Sequence, residues 1–147
     1  MRILLIFSLF LSFHSCSSSK KTLSKVENTS KIQYPEGQLK DDVRMTDLKN
    51  KVKIISSKIE GHILFLDIEY SGICDVNEVQ LYGEKRISKS LPPIRNVVLD
   101  VGEECDSKKK EKTTLAFAIR NFAYGGTKSE IILHFPQFEF DLNYIND

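Results

Sequence analysis

The sequence predicts an all-β protein, a single antiparallel β-sandwich of immunoglobulin-like type with about seven strands. Segments in which apolar and polar residues alternate recur roughly every ten residues, and such alternation is typical of strands with one buried face. Turn-forming residues separate these segments. The chain has 9 Phe and 5 Tyr but only 2 Met and no Trp, a bias that favours strands over helices. A small antiparallel β-barrel is the alternative architecture.

The clearest strand is predicted over residues 62–70, where Leu64, Leu66 and Ile68 share one face and Asp67 and Glu69 share the other. Weaker patterns predict strands at residues 52–57 and 76–82. Four further segments show the same alternation, and their apolar positions are Val97, Leu99 and Val101; Leu115, Phe117 and Ile119; Ile131, Leu133 and Phe135; and Phe138, Phe140 and Leu142.

The segments between the predicted strands contain residues that break regular structure. Residues 41–50 show no period and are predicted to be a loop or a short helical turn. Pro136 lies between two apolar runs and indicates a bulge or an edge strand, because proline cannot donate a hydrogen bond within a sheet. The other breakers are Gly61, Ser71 and Gly72, Pro92 and Pro93, Gly102, and Gly125 and Gly126.

The N-terminus has the pattern of an export signal. A basic start is followed by an apolar run over residues 3–13 and then by His14, Ser15 and Cys16. This run is shorter than the roughly 20 residues needed to span a bilayer. Residues 1–15 are therefore predicted to be a lipoprotein signal peptide, after which the Cys16 thiol is acylated. An ordinary signal peptide cut after Ser17, releasing a soluble secreted protein, is the alternative.

The part of the chain after Cys16 divides into a tether and one domain. Residues 16–33 are rich in Ser and Lys and lack periodicity, which predicts a flexible tether. As a random coil, about 17 residues span roughly 23 Å. Residues 34–147 are long enough for one β-sandwich domain and too short for two ordinary ones.

The three cysteines are an odd number for an exported protein. If lipid occupies Cys16, then Cys74 and Cys105 remain and are predicted to form a disulfide. The bridge would close a loop of about 32 residues, worth about 3 to 4 kcal/mol by chain-entropy reasoning. Two free thiols are the alternative. No metal site or cofactor is predicted, since neither His62 nor His134 stands at a ligand spacing from a cysteine.

Composition limits the possible partners. Removing residues 1–15 takes one Arg, so 20 basic residues remain against 20 acidic ones. A neutral domain argues against a nucleic-acid partner, for which a strongly basic surface is expected. The predicted partners are the membrane, through the N-terminal lipid, and an envelope protein or glycan.

The sequence contains no recognisable catalytic motif. It has no glycine-rich phosphate loop, no His-Glu-x-x-His and no Cys-x-x-Cys. His62 begins a predicted strand and His134 lies inside one, so both are interpreted as structural or surface residues. No catalytic residues are predicted.

The densest group of carboxylates follows the predicted strand at Val97–Val101 and includes Glu103, Glu104 and Asp106. Oxygen-rich loops suit Ca²⁺, but the spacing does not match an EF-hand and three lysines follow directly. The segment is interpreted as a solvated hairpin tip. Because loops on a rigid scaffold commonly carry binding, these three residues form the candidate partner-binding loop.

One constellation resembles a known family. Residues 70–74 read Tyr-Ser-Gly-Ile-Cys after a strong strand, and Cys105 stands later in an acidic turn beside Asp106. This arrangement resembles small Bacteroidetes envelope lipoproteins of the NigD-like group, over roughly residues 62–120. The resemblance implies a β-sandwich with Cys74 bridged to Cys105 and implies no established activity. In some lipoproteins of these bacteria, acidic residues after the acylated cysteine mark surface export. Residues 17–25 contain none, so a periplasm-facing anchor is expected.

The function predicted is that of a membrane-anchored envelope lipoprotein that binds or assists rather than catalyses. An inhibitor of a secreted hydrolase is the first alternative, and a small hydrolase is the second. A hydrolase would require a concave pocket that gathers His62 or His134 with carboxylates.

Overall fold

The structure is a computed structural model that describes residues 33–147. The predicted signal peptide, Cys16 and all but the last residue of the predicted tether lie outside the described residues. Two short 3₁₀ helices, Val76–Glu78 and Arg120–Phe122, are present, and no helix of the described part is long and apolar enough to cross a membrane. Residues 33–147 contain eight strands: β1 (Gln38–Lys40), β2 (Val52–Glu60), β3 (Ile63–Tyr70), β4 (Gln80–Glu84), β5 (Ile94–Asp100), β6 (Glu111–Ala118), β7 (Ser129–Phe135) and β8 (Phe140–Asn146).

The strands form two sheets, with orders β1-β4-β5-β7-β8 and β2-β3-β6. The predicted β-sandwich is confirmed, and the sheets do not close into a barrel. The apolar faces of the predicted strands meet in one core, in which Leu64, Leu133 and Phe135 are fully buried. The alternation read from the sequence therefore identified the inward faces.

The five-stranded sheet is mixed, which differs from the antiparallel prediction. The pairs β4/β5 and β7/β8 are antiparallel, but β1/β4 and β5/β7 are parallel. The parallel β5/β7 pair arises because the chain leaves this sheet after β5, forms β6 in the other sheet, and re-enters in the original direction. Periodicity reports which face is buried and not which strand lies beside it.

Residues 35–40 form a connection that the sequence did not predict, here called the N-terminal strap. Its first half pairs with the end of β6, where the Gly37 N–H donates to the Ala118 carbonyl at 2.8 Å. Its second half is β1, which pairs with β4. The strap therefore joins the edge of one sheet to the edge of the other. A Cβ on Gly37 would lie 2.6 Å from the ring of Phe122, so this position requires glycine.

The β7–β8 connection corrects the interpretation of Pro136. Pro136 is neither in a bulge nor in an edge strand but begins the turn over residues 136–139, and Phe138 lies in this turn rather than in a strand. Gln137 in the same turn is buried, and its side-chain amide bonds with both the N–H (2.7 Å) and the C=O (2.9 Å) of Leu99. The side chain thus makes with β5 the backbone hydrogen bonds that a neighbouring strand would make, at a position where β7 has ended.

The acidic segment after β5 is not a hairpin tip, because β5 and β6 belong to different sheets. It is a crossover between the sheets. The Cys105 N–H donates to the Gly72 carbonyl at 2.9 Å, and the Cys74 N–H donates to the Glu103 carbonyl at 3.3 Å. The crossover is therefore fixed to the segment that follows β3.

Candidate functional site

A row of four polar side chains crosses the outer face of the five-stranded sheet, here called the polar row. It consists of Glu84 at the end of β4, Asn96 on β5, His134 on β7 and Asp141 on β8. Asn96 is the register partner of His134, and His134 is the register partner of Asp141. Asn96 donates from Nδ2 to Glu84 Oε2 at 3.0 Å. The sheet register therefore aligns groups from two pairs of strands, β4/β5 and β7/β8, that are far apart in the sequence.

The imidazole of His134 is oriented by a carboxylate. Its Nδ1 lies 2.6 Å from Asp141 Oδ1, and the two side chains are 37% and 61% exposed. A carboxylate that is hydrogen-bonded to one ring nitrogen of a histidine fixes the ring, so that the other nitrogen is available to bind a different group. The pair can accept or donate hydrogen bonds to a ligand without first becoming ordered.

A cleft of about 580 Å³ surrounds the polar row. Besides Glu84, Asn96, His134 and Asp141, its lining includes Arg86, Ile87, Ser88 and Ile94. Ligand sites generally combine apolar walls with a few convergent polar groups. The cleft has this build, with two isoleucines beside carboxylate, amide, imidazole and guanidinium groups.

The serine that lines the cleft, Ser88, uses its hydroxyl in hydrogen bonds within the β4–β5 loop. Ser88 Oγ accepts from the Ile94 N–H at 2.8 Å and is hydrogen-bonded to Ser90 Oγ. Neither bond involves His134. Ser88 therefore holds the loop that forms one wall of the cleft, rather than forming a nucleophile and base pair with His134.

His62 lies outside this cleft and has a structural environment. Its Nδ1 is 2.7 Å from the hydroxyl of Tyr144, a fully buried residue of β8, and its carbonyl accepts from the Ile119 N–H. Burial raises the pKa of the Tyr144 hydroxyl. The contact therefore provides a polar partner for a phenol within the core.

The cysteines of the folded part are at bonding distance. Cys74 and Cys105 form a disulfide with a Cα–Cα distance of 5.2 Å, as the cysteine count predicted. Both residues are exposed. The bridge connects the segment after β3 to the crossover between β5 and β6. Cys16 lies outside the described residues.

The predicted partner-binding loop is exposed and lies apart from the cleft. Glu103, Glu104 and Asp106 follow the end of β5, whereas the cleft contains residues near the start of that strand. Glu104 forms an ion pair with Lys51. Within residues 33–147, no group of three or more His, Cys, Asp or Glu side chains is arranged to hold a metal ion.

The opposite face of the sandwich carries a second polar arrangement that sequence reasoning missed. Asp67 on β3 accepts hydrogen bonds from Ser56 on β2 and from Thr114 on β6, the latter at 2.6 Å. The Ser56 hydroxyl, followed by that of Thr114, lowers the pKa of the Asp67 carboxyl. The three side chains link all three strands of their sheet.

The alternating pattern of the sequence predicts the orientation of two of the four residues in the polar row. It places His134 and Asp141 on the outward faces of their strands, but their pairing depends on the length of the turn at residues 136–139. Asn96 and Glu84 lie just outside the predicted strands, and Asn96 comes beside His134 only through the parallel β5/β7 pairing.

No family model, curated protein or solved structure matches this chain. The resemblance to NigD-like lipoproteins stays a prediction.

Proposed function

We propose that this chain is a lipid-anchored lipoprotein of the bacterial cell envelope, held through Cys16 on the periplasm-facing side of the outer membrane. Its β-sandwich is a binding or accessory module rather than an enzyme. The proposal includes membership of the NigD-like group of small envelope lipoproteins.

The observation that carries the proposal is the Cys74–Cys105 disulfide. Disulfides persist in oxidising compartments such as the bacterial periplasm, so the bridge supports export. It also accounts for two of the three cysteines and leaves Cys16, next to the predicted signal peptide, for acylation. Attachment through more than one acyl chain would be stable, since each buried CH₂ contributes about 0.8 kcal/mol.

The anchor is tested by intact mass spectrometry of membrane and soluble fractions from cells that express the full chain. We expect the wild-type protein in the membrane fraction, cleaved before Cys16 and heavier by the mass of its acyl chains. Cys16→Ser should remove both the lipid and the membrane retention. The matched control is Cys74→Ser/Cys105→Ser, which keeps Cys16 and should stay lipidated. A soluble, unlipidated wild-type chain beginning after Ser17 would contradict the proposal.

The cleft on the five-stranded sheet is the proposed binding site. Paired Glu84–Asn96 and His134–Asp141 groups present both donors and acceptors, and Ile87 and Ile94 offer apolar contact. This combination suits a ligand with many hydroxyl groups, such as an envelope glycan. The probe is a panel of soluble oligosaccharides applied to the folded chain.

Any oligosaccharide of the panel that binds the wild-type chain should no longer bind when Asn96→Ala or Asp141→Asn changes the polar row. Asp67→Asn on the other sheet is the matched control and should bind as the wild type does. Binding that survives both cleft variants would place the ligand elsewhere.

Two alternatives have a specific observation in their favour. The acidic crossover is exposed at Glu103, Glu104 and Asp106 and fixed by a disulfide, which suits an inhibitor that inserts a rigid loop into a hydrolase. Replacing these three residues by Ala should then abolish inhibition. The His134–Asp141 pair in a cleft suits a hydrolase, and His134→Gln should abolish any hydrolysis detected. We favour binding because Ser88 is engaged within its own loop.

A further inference from the structure

Two loops lie together at one end of the sandwich, here called the loop tip. They are residues 85–93, which lead into β5, and residues 119–128, which lead into β7. Because β5 and β7 are parallel neighbours, the loops that enter them reach the same end of the sheet. Leu91 and Pro93 from the first loop and Tyr124 from the second line one groove of about 540 Å³.

The loop tip presents apolar side chains to solvent. Leu91 is 97% exposed, the most exposed of the large hydrophobic residues in the described part, and Tyr124 is 51% exposed. The surrounding loop is closed by its own hydrogen bonds: Ser88 N–H donates to the Ile94 carbonyl at 2.9 Å, and Ser90 Oγ donates to the Pro92 carbonyl at 2.8 Å. Leu91 is therefore held outward at the apex of an ordered loop.

The loop tip is also basic. Its basic residues are Lys85, Arg86, Lys89, Arg120 and Lys128, and neither loop contains an acidic residue. Lys85 is paired with Asp41. The crossover after the opposite end of β5, residues 101–110, has three lysines as well but also Glu103, Glu104 and Asp106. The two loops thus carry five cations and no carboxylate of their own, with Asp147 following the Asn146 carbonyl that accepts from the Lys128 N–H, whereas the crossover carries three charges of each sign.

We propose that the loop tip is a docking surface for an anionic phospholipid bilayer. Exposed apolar side chains flanked by lysine and arginine match the interface of such a membrane, where hydrocarbon lies beneath negatively charged headgroups. Leu91 and Tyr124 enter the interface, and Lys89 and Lys128 contact the headgroups. The surface acts independently of Cys16. In a chain anchored through Cys16, the tether would keep the loop tip close to the membrane, so that even a weak contact would form there. That contact would orient the sandwich.

The test uses the chain from residue 17 to residue 147, which lacks the apolar leader and Cys16 and includes all described residues. Since the protein has no Trp, Leu91→Trp supplies a single fluorescent reporter at the apex. We expect its emission to shift to the blue with vesicles of phosphatidylcholine and phosphatidylglycerol, and the shift to be lost at about 1 M salt, where the Debye length is about 3 Å. Met45→Trp, exposed on the segment before β2, is the matched reporter and should not shift.

Charge variants in the same chain locate the contact. Each lysine near an anionic surface is worth about fivefold in partitioning, so Lys89→Gln/Lys128→Gln should weaken sedimentation with these vesicles by roughly 25-fold. Leu91→Asp should weaken it further. The control Lys108→Gln/Lys109→Gln removes the same charge from the crossover and should leave binding within about twofold.

Three results would overturn the proposal. One is the absence of any blue shift or sedimentation with anionic vesicles. Another is equal weakening by the tip variant and the crossover variant, which would indicate net charge alone. The last is binding that is abolished by Lys20→Gln/Lys21→Gln/Lys25→Gln in the tether and unaffected by the tip variants. Because none of these chains contains Cys16, the outcome is separate from that of the lipid-anchor test.

Discussion

At the residue scale, polar side chains in this protein join strands that belong to one sheet. Asp67 receives hydroxyl donors from both neighbouring strands, and the amide of Gln137 bonds to the backbone of Leu99 on β5. Arg95 is buried with its guanidinium donating to the Phe122 and Glu84 carbonyls, and burial lowers its pKa. The contacts of Gln137 and Arg95 satisfy groups that would otherwise be costly to bury, whereas those of Asp67 lie on the partly exposed outer face of its sheet.

The Asp67 hydrogen bonds predict a pH dependence of stability. The pKa of Asp67 is lower in the folded protein than its ordinary value of 3.8, chiefly because of the Ser56 hydroxyl. The ionised carboxylate therefore stabilises the fold above about pH 4, and this contribution is lost as the pH falls through the lowered pKa. Asp67→Asn should make the loss of thermal stability between about pH 5 and pH 2 shallower.

Thermal unfolding followed by circular dichroism across this range measures the effect. The control is Asp106→Asn, an exposed carboxylate in the crossover whose removal should keep the wild-type slope. Equal slopes for Asp67→Asn and wild type would show that the hydroxyl bonds do not favour the charged form.

At the element scale, the N-terminal strap is the feature that closes one side of the sandwich. It pairs with β6 through residues 36 and 37 and with β4 through β1. Its fit depends on Gly37 and Gly83, since a Cβ at either position would lie 3.0 Å or less from the ring of Phe122. The strap, the 3₁₀ helix that carries Phe122 and the edges of two sheets therefore meet at one point.

Gly37→Ala should destabilise the protein by about 1 to 3 kcal/mol, because the added Cβ would overlap the ring of Phe122, which is fully buried. The free energy of unfolding in urea measures the change. Gly126→Ala is the matched control, since a Cβ there meets nothing within 4 Å, and its stability should stay close to that of the wild type. A Gly37→Ala protein as stable as the control would mean that the strap does not pack as described.

At the scale of the whole molecule, the disulfide connects the end of β3 in one sheet to the chain that leaves β5 in the other. Cys74→Ser/Cys105→Ser should lower the free energy of unfolding by about 3 kcal/mol, as expected for a loop of this length. Chemical denaturation of the double variant measures it, and wild-type protein treated with a reductant should show the same loss. An unchanged midpoint would indicate that the backbone hydrogen bonds at Gly72 and Glu103 hold the crossover without the bridge.

The two proposed membrane contacts also belong to this scale. Acylation of Cys16 would hold the chain at the membrane, and the loop tip would set which end of the sandwich faces the lipid. Under that arrangement the acidic crossover, which follows the opposite end of β5, would point away from the bilayer. The two contacts are separable, since one requires a covalent lipid and the other requires Leu91 with its neighbouring cations.

The sequence by itself determined the buried face of most strands, because alternation along a strand is local and each residue carries its own polarity. The strand over residues 62–70 and the apolar positions of β5, β6 and β7 are examples. The cysteine count likewise predicted the Cys74–Cys105 bridge. The fold class followed from these patterns together with the turn residues.

Only the tertiary structure decided which strands are neighbours. The polar row depends on Asn96 lying opposite His134, and the strap depends on Gly37 meeting Ala118. These residues are far apart in the chain, and β1 is too short and too polar to show a period. Such pairings are selected by the packing of the complete core, so no local pattern contains them. The cleft and the loop tip are consequences of that packing.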